Sequence, residues 1–247
     1  MRRTEEVHCH TLYGHGSSTV EEMVTKAAEI GLEGITITEH GWKHYWCRQM
    51  SVDTYRSIRR EIDEMQKKYP QLSIKMGIEA NILGDSGLLD IPEEVLPLLD
   101  VINFGHHQLT MHPQFKDYMR FPVRNFLART FELKKLNEKA KILNTEAIIR
   151  VFERYPIHML THPDSGYSVD LDLLGKACEA HQVLLEINNA RGKVSVSDIN
   201  VLKKYDVKFA VGTDAHEAKT LENWDRARSI IVESGLPLDR VVNVVED

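Results

Sequence analysis

Histidine, aspartate and glutamate side chains recur in this sequence at the ends of short apolar runs. These residues are His8 and His10, Glu39 and His40, Glu79, His106 and His107, His162, Glu186, and Asp214 and His216. Histidine is the commonest metal ligand in proteins and a general acid or base near neutral pH. Carboxylates admit further divalent metals such as manganese. The pattern therefore indicates a metal site to which several runs contribute.

Spacing within two of the runs favours the same interpretation. Alternate side chains of an extended strand point to one face, so His8 and His10 project together, as do Asp214 and His216. Two imidazoles on one strand can bind one ion, and the two oxygens of a carboxylate such as Glu79 can bridge neighbouring ions. Two adjacent ions can activate water and stabilise the attacking and leaving oxygens of a phosphoryl transfer.

Each motif also has a purely structural explanation when it is taken alone. A His-x-His pair often arises by chance on a surface strand, and His162 could be a hydrogen-bonded loop histidine. Glu79 could pair with an arginine, and Asp214 could cap the following helix. Burying so many polar groups together would be costly unless they bind something charged, which favours a metal site. The histidines expected to be exposed or structurally hydrogen-bonded are His44, His112, His158 and His181.

The elements that must position these residues alternate between short apolar runs and longer amphipathic segments, a pattern typical of repeated βα units. Seven strands are predicted, at residues 6–11, 34–38, 74–80, 101–105, 157–161, 183–187 and 208–212. In α/β barrels the chemistry belongs at the carboxyl ends of the strands, where the histidines and acids lie. We therefore predict one closed or nearly closed α/β barrel. An open doubly wound sheet is the alternative, but no glycine-rich fingerprint follows the first strand.

Helices are predicted between the strands from capping and breaking residues. A capping box at 18–21 begins the first helix, and Asp53 is expected to cap the second, which Pro70 ends. Further helices are predicted near residues 93–99, 124–141, 145–155, 170–181, after 197, and around 225–234. The stretch 110–143 is expected to be an insertion that begins as a loop and continues as a charged helix.

Composition narrows the class of protein. The 247 residues are 42% hydrophobic and 28% charged, which is typical of one soluble globular domain. The net charge of -6 provides no basic footprint for nucleic acid. Three widely spaced cysteines suit a reducing compartment, and the sequence shows neither a signal peptide nor a run long enough to span a membrane. A cytoplasmic location without a membrane partner is expected.

The ordered motifs HCHT, GLEGITITEHG, GIEANIL, GHH, THPD, LEINN and GTDAH resemble those of the PHP (polymerase and histidinol phosphatase) family over about residues 5–245. The resemblance implies a distorted seven-stranded (β/α)7 barrel of the TIM-like kind, with a single PHP domain over residues 1–247. It also implies two or three divalent ions, of zinc, manganese or iron, and the hydrolysis of phosphoesters.

The same resemblance assigns metal-binding roles to nine positions. The first ion would be held by His8, His10 and Asp214, with Glu79 bridging to the second. The second would be held by His107 and His162, and the third by His15, His40 and His216. The residues that precede the fourth-strand histidines favour His107 over His106 in the family alignment. Glu39 stands where many relatives have aspartate and flanks a ligand without being one.

A mechanism follows as a hypothesis from this ligand set. A hydroxide bridging two ions would attack phosphorus, with Glu79, Asp214 and His216 as the catalytic residues and a histidine or metal-bound water assisting the leaving alcohol. Arg191 resembles a family residue that contacts substrate phosphate, and Lys193 is a weaker candidate. The expected partner is a small-molecule phosphate ester, with histidinol phosphate as one candidate. A homo-oligomer is compatible with the sequence.

Two other functions stay open. Amidohydrolase barrels also begin with His-x-His and end with an aspartate, although they usually have eight strands and a longer chain. Seven strands, Glu79 on the third, and the spacing of Asp214 and His216 favour phosphoester chemistry. The other alternative is a non-catalytic PHP-like interaction module, but such modules tend to lose ligands and all nine positions here carry a suitable residue.

Overall fold

Seven parallel strands form the central sheet of the protein and follow one another in chain order. The computed structural model describes residues 1–47, 49–107, 110–112, 115–131, 134–163, 167–190 and 194–247. The strands are β1 (Glu5–Cys9), β2 (Gly34–His40), β3 (Ser73–Asn81), β4 (Val101–Gly105), β5 (Met159–Leu160), β6 (Leu184–Asn188) and β7 (Phe209–Gly212). A separate antiparallel ribbon pairs Arg2–Arg3 with Val244–Val245.

The first and last strands meet beyond the end of β7. The amide of Asp214 donates a hydrogen bond to the carbonyl of His8 at 2.9 Å, and the amide of His10 donates to the carbonyl of Ala215 at 2.8 Å. A nearly closed barrel results, as predicted. Because these closing bonds join His8 and His10 to Asp214 and Ala215, closure itself brings the first and the last motif of the series together.

Helices cover the outside of the barrel. They are α1 (Val20–Glu29), α2 (Val52–Lys68), α3 (Arg124–Thr130), α4 (Lys134–Arg154), α5 (Leu171–His181), α6 (Val196–Leu202) and α7 (Asp225–Ser234). Short 3-10 turns occur at Leu96–Leu98, Ala218–Thr220 and Leu238–Arg240. None of the helices described is both long enough and apolar enough to cross a bilayer.

Two helix starts differ in detail from the sequence prediction. The capping box of α1 is formed by Thr19 and Glu22, one residue later than predicted. Ser51, and not Asp53, caps α2, because its side chain accepts a hydrogen bond from the amide of Thr54 while Asp53 lies in the first turn. The helix predicted near residues 93–99 is only the 3-10 turn around Pro97, since proline lacks the amide that a longer helix requires.

The stretch 110–143 is more helical than predicted, and its helix boundaries differ. A helical turn at Phe115–Tyr118 and a π-helical turn at Met119–Val123 occupy part of the expected loop. The helix α4 runs without a break through residues 142–144, where two separate helices were expected. Asn144 is buried there, and its side-chain amide donates to Asn125 Oδ1 at 2.7 Å while Asn125 donates back at 3.0 Å. This pairing satisfies buried polar groups that would otherwise disfavour a continuous helix.

Alternation along the strands separates the hydrophobic core from the polar interior. On β3, Met76 and Ile78 are fully buried in the main hydrophobic cluster. Their neighbours Gly77 and Glu79 point to the opposite face, because successive strand residues alternate. The apolar face therefore packs against the helices, while Glu79 is turned to the inside of the barrel.

Candidate metal centre

Four side chains meet at the point where β1 and β7 come together. His8 Nε2 and His10 Nε2 lie 3.2 Å apart, and Glu79 Oε2 lies 3.4 Å from the first and 3.5 Å from the second. Asp214 Oδ1 completes the group, 3.4 Å from His10 Nε2 and 3.8 Å from His8 Nε2. A tetrahedral zinc site with bonds of about 2.0–2.2 Å has neighbouring ligand atoms about 3.3–3.6 Å apart. The spacing of these four atoms therefore fits one divalent ion.

The other oxygen of Glu79 faces a second group. Glu79 Oε1 lies 2.7 Å from His162 Nε2 and 3.5 Å from His107 Nε2. The ring of His106 is turned away, toward Phe121 and Tyr167. His107, and not His106, thus faces the cluster. One carboxylate that directs its two oxygens into two groups of donors has the geometry of a bridging ligand.

The predicted third set is less compact than the first two. His15 Nε2 and His216 Nε2 lie 2.7 Å apart, and the ring centroids of His15 and His40 are 4.8 Å apart. His10, His40 and His216 also converge, with donor atoms within 4.8 Å of one another. His216 Nδ1 lies 2.8 Å from the carbonyl of Asp214, which leaves its Nε2 to face His15.

Unusual backbone conformations occur at two of the converging residues. His162 has φ of 27° and Asp214 has φ of 53°, both in the left-handed region that non-glycine residues rarely adopt. Gly105 allows this close approach, since a Cβ there would lie 2.4 Å from Thr161 Oγ1 and 2.8 Å from His162 Cε1. Strained backbone of this kind clusters at functional sites, where the surrounding structure holds it.

The electrostatics of the cluster favour a cation among ionised carboxylates. Burial alone would raise the pKa of Glu79, but the neighbouring imidazoles of His8, His107, His162 and His40 hold it well below its usual range. Burial likewise opposes protonation of His8, yet Glu186, Glu79 and Asp214 outweigh it and keep the pKa of His8 well above its ordinary value. The carboxylates therefore attract positive charge to the place where the donor atoms converge.

For two other histidines of the cluster, His15 and His40, the pKa is shifted downward. Burial and the neighbouring His10 lower the pKa of His15 to about 4, and the same two causes lower the pKa of His40 well below its ordinary value. Metal ligation requires neutral imidazole and ionised carboxylate. These two histidines are thus in the form that binds metal.

Several buried polar atoms of the cluster lack a hydrogen-bond partner among the residues that the structure describes. They include His40 Nε2, while His40 Nδ1 and Glu79 Oε2 lie 3.0 Å apart without hydrogen-bond geometry. Unsatisfied polar atoms in a protein interior are costly unless they bind something. A divalent ion would satisfy them, and a set of imidazoles with a few carboxylates suits zinc, iron or manganese.

One histidine contradicts the sequence prediction. His44 was expected to be exposed or hydrogen-bonded, but it is buried and its ring stacks on His40, with centroids 4.1 Å apart and an interplanar angle of 4°. It is also 5.2 Å from the ring of His107. The sequence did not reveal this because His44 lies in the turn after β2 and not at a strand end. His112, by contrast, has its Nδ1 3.0 Å from the carbonyl of Leu83, as a structural histidine should.

The two basic residues predicted to contact substrate, Arg191 and Lys193, lie outside the described residues. Two further side chains support the cluster without having been predicted to do so. Glu39 Oε1 accepts hydrogen bonds from the amide and hydroxyl of Thr11, at 2.6 and 2.5 Å, and so holds the loop that follows β1. Cys47 Sγ lies 3.5 Å from His15 Nδ1, and burial raises the pKa of this thiol to about 12.

The chain is similar to several known proteins. A relative from Caldicellulosiruptor saccharolyticus, named a probable phosphatase, is 30% identical over 96% of this chain and 90% of its own length. A relative from Clostridium novyi, also named a probable phosphatase, is 26% identical over 100% of this chain and 92% of its own. Among solved structures, the histidinol phosphate phosphatase of Lactococcus lactis, complexed with zinc, L-histidinol and phosphate, shares the fold with a TM-score of 0.63. Its sequence is 18% identical, and the match covers 95% of each chain. The family model described as the PHP domain matches residues 6–233, and the chain therefore belongs to the PHP family.

Proposed function

We propose that this chain is a metal-dependent phosphatase that hydrolyses small-molecule phosphomonoesters. The observation that carries the proposal is the bridging position of Glu79, whose two oxygens face two groups of metal-ligand atoms. Two ions held side by side are the arrangement that phosphoryl transfer uses to stabilise both attacking and leaving oxygens. Relatives of similar length that are named probable phosphatases support the same chemistry.

The predicted ligands form three sets, one for each ion. His8, His10 and Asp214 would hold a first ion, His107 and His162 a second, and Glu79 both. His15, His40 and His216 would hold a third. When bound, the ions supply electrophilic stabilisation of the phosphate and lower the pKa of water. The protein supplies rigid placement, because most of these donors stand on or directly after strands of the barrel.

Substrate recognition is the finer part of the proposal. Histidinol phosphate is the first substrate to test, because the L. lactis protein with the same fold is a histidinol phosphate phosphatase. Arg191 and Lys193 follow β6 in the sequence, and we propose that they contact the phosphate of the substrate. A guanidinium binds two phosphate oxygens at once, which would orient the ester over the ions.

The test is a phosphate-release assay with the metal-loaded protein. The panel should contain histidinol phosphate, p-nitrophenyl phosphate, and a set of amides and lactones that an amidohydrolase would cleave. We expect turnover of phosphomonoesters only, and its loss in Asp214→Ala and His107→Ala. His158→Ala is the matched control, because His158 is exposed and lies at the other end of β5. Undiminished activity in both of the first two variants would refute the proposed site.

A further inference from the structure

We propose that Glu186 is a positioning residue that fixes ligands of the first and second ions at the same time. This inference rests on the metal centre of the proposed function. Glu186 lies on β6, is fully buried, and has no place among the nine predicted ligands. Its two oxygens contact two different ligands, which are contributed by strands far apart in the sequence.

The first contact sets the orientation of His8. His8 Nδ1 lies 2.7 Å from Glu186 Oε1. Because a carboxylate can only accept, the proton of the neutral imidazole is placed on Nδ1, and the lone pair is left on Nε2. His8 Nε2 is the atom that faces His10, Glu79 and Asp214. A carboxylate behind a ligating histidine also raises the basicity of the ligand.

The second contact holds the backbone of His162. The amide of His162 donates a hydrogen bond to Glu186 Oε2 at 2.7 Å. His162 is one of the residues with positive φ, so its conformation needs an interaction of this kind to persist. Its ring reaches Glu79 Oε1, within the second group of donors. One carboxylate thus joins a side chain of the first group to the main chain of the second.

Neighbouring residues hold the carboxylate of Glu186 in this position and leave space for it. Asn188 Nδ2 donates to Glu186 Oε2 at 3.0 Å and lies 3.4 Å from Asp214 Oδ2, which extends the contacts to a third ligand. On the next strand, a Cβ at Gly212 would lie 2.0 Å from Glu186 Oε1. The absence of a side chain at Gly212 therefore leaves the space that the carboxylate occupies.

An amide cannot replace this carboxylate without loss. Glutamine has one acceptor oxygen, whereas Glu186 accepts at both oxygens. If the amide oxygen stays with His162 and Asn188, the NH2 group faces His8 Nδ1. The proton of His8 would then move to Nε2 and block the metal-binding atom. In the reverse orientation the NH2 group faces the amide of His162, and the second group loses its support.

The experiment measures zinc binding to the metal-free full chain by competition with a chromophoric chelator. We expect Glu186→Gln to bind the first two ions about 10–100-fold more weakly than the original protein, the range typical for loss of such an outer partner. The visible absorption of the cobalt-loaded variant should also change, since it reports ligand geometry. Unchanged zinc affinity, or a loss confined to one of the two ions, would overturn the proposal.

Two more variants keep the result interpretable. Asp90→Asn removes another buried carboxylate, whose oxygens accept from Asn81 and Lys43, and it should bind zinc as the original protein does. Glu186→Asp keeps the charge, but its shorter side chain moves both oxygens away from His8 and from the amide of His162. It should therefore weaken zinc binding, and it provides the test if Glu186→Gln does not fold. Zinc binding is independent of substrate. A chain that binds zinc normally but releases no phosphate would contradict the proposed function and leave this inference standing.

Discussion

Replacing Glu79 with glutamine separates the charge of the bridging carboxylate from its shape. Thr161 Oγ1 donates a hydrogen bond to Glu79 Oε1 at 2.8 Å, and the carbonyl oxygen of glutamine can still accept it. The substitution removes a negative charge that lies close to ring nitrogens of both donor groups. The oxygens of Glu79 are 3.5 Å from His10 Nε2 and His107 Nε2, and 2.7 Å from His162 Nε2. We expect Glu79→Gln to fold but to bind its ions far more weakly.

The size of the effect can be worked out from the position of Glu79. Loss of an outer partner of a metal ligand costs about 10–100-fold in affinity, and a ligand shared by two ions should cost at least the upper value. At a fixed excess of metal, a 100-fold weaker affinity removes about 2.7 kcal/mol of stabilisation. For a chain of this length, that corresponds to a metal-induced rise in Tm that is smaller by about 5–11 °C.

Scanning calorimetry with and without zinc measures this difference within each variant, so any change in the metal-free Tm cancels. Bound zinc should be counted by elemental analysis on the same samples. Glu222→Gln is the control, because Glu222 is an exposed residue paired only at the surface with Lys26 among the described residues. If Glu79→Gln shows the full metal-induced rise and the full zinc content, Glu79 does not bridge the ions and the proposed centre is wrong.

Other predictions concern the fold and its connection to the centre. Thr19→Ala removes the cap of α1 and should lower the free energy of unfolding by about 1 kcal/mol, seen as a lower denaturant midpoint with unchanged zinc content. Gly105→Ala should lower the affinity for the second zinc ion, because the new Cβ would displace His162. A zinc affinity equal to that of the original protein would contradict this prediction. Burial raises the pKa of Asp90 from 3.8 to about 6, so its contribution to stability is complete below its unfolded pKa and is lost as the pH rises through 6. The difference corresponds to about 3 kcal/mol, and denaturation of Asp90→Asn at several pH values should lack this part of the pH dependence.

Much of the architecture was predictable from local patterns. The seven apolar runs became seven parallel strands in chain order, since burial on both faces and short flanking turns leave few other arrangements. The boundaries were less predictable. The helix α4 crosses a predicted break because Asn144 pairs with Asn125, a contact between residues on different helices that no local pattern encodes.

The candidate metal centre was likewise predictable only in part. Residue types and strand-end positions, together with the family resemblance, were enough to name His8, His10, Glu79 and Asp214 from the sequence. Their division into groups came only from the family resemblance, because the distances between them depend on how strands such as β1 and β7 meet when the barrel closes.

By itself, the sequence determined the kind of fold and indicated which side chains are candidates for holding a metal, because strand periodicity and ligand chemistry are properties of short segments. Only the tertiary structure decided that His44 stacks on His40 and that Glu186 contacts both His8 and the backbone of His162. His8 and Glu186 are 178 residues apart, and their contact exists only because closure of the barrel places β1 and β6 on either side of β7. Position in the closed barrel, and not residue type, distinguishes a ligand from the residue that orients it.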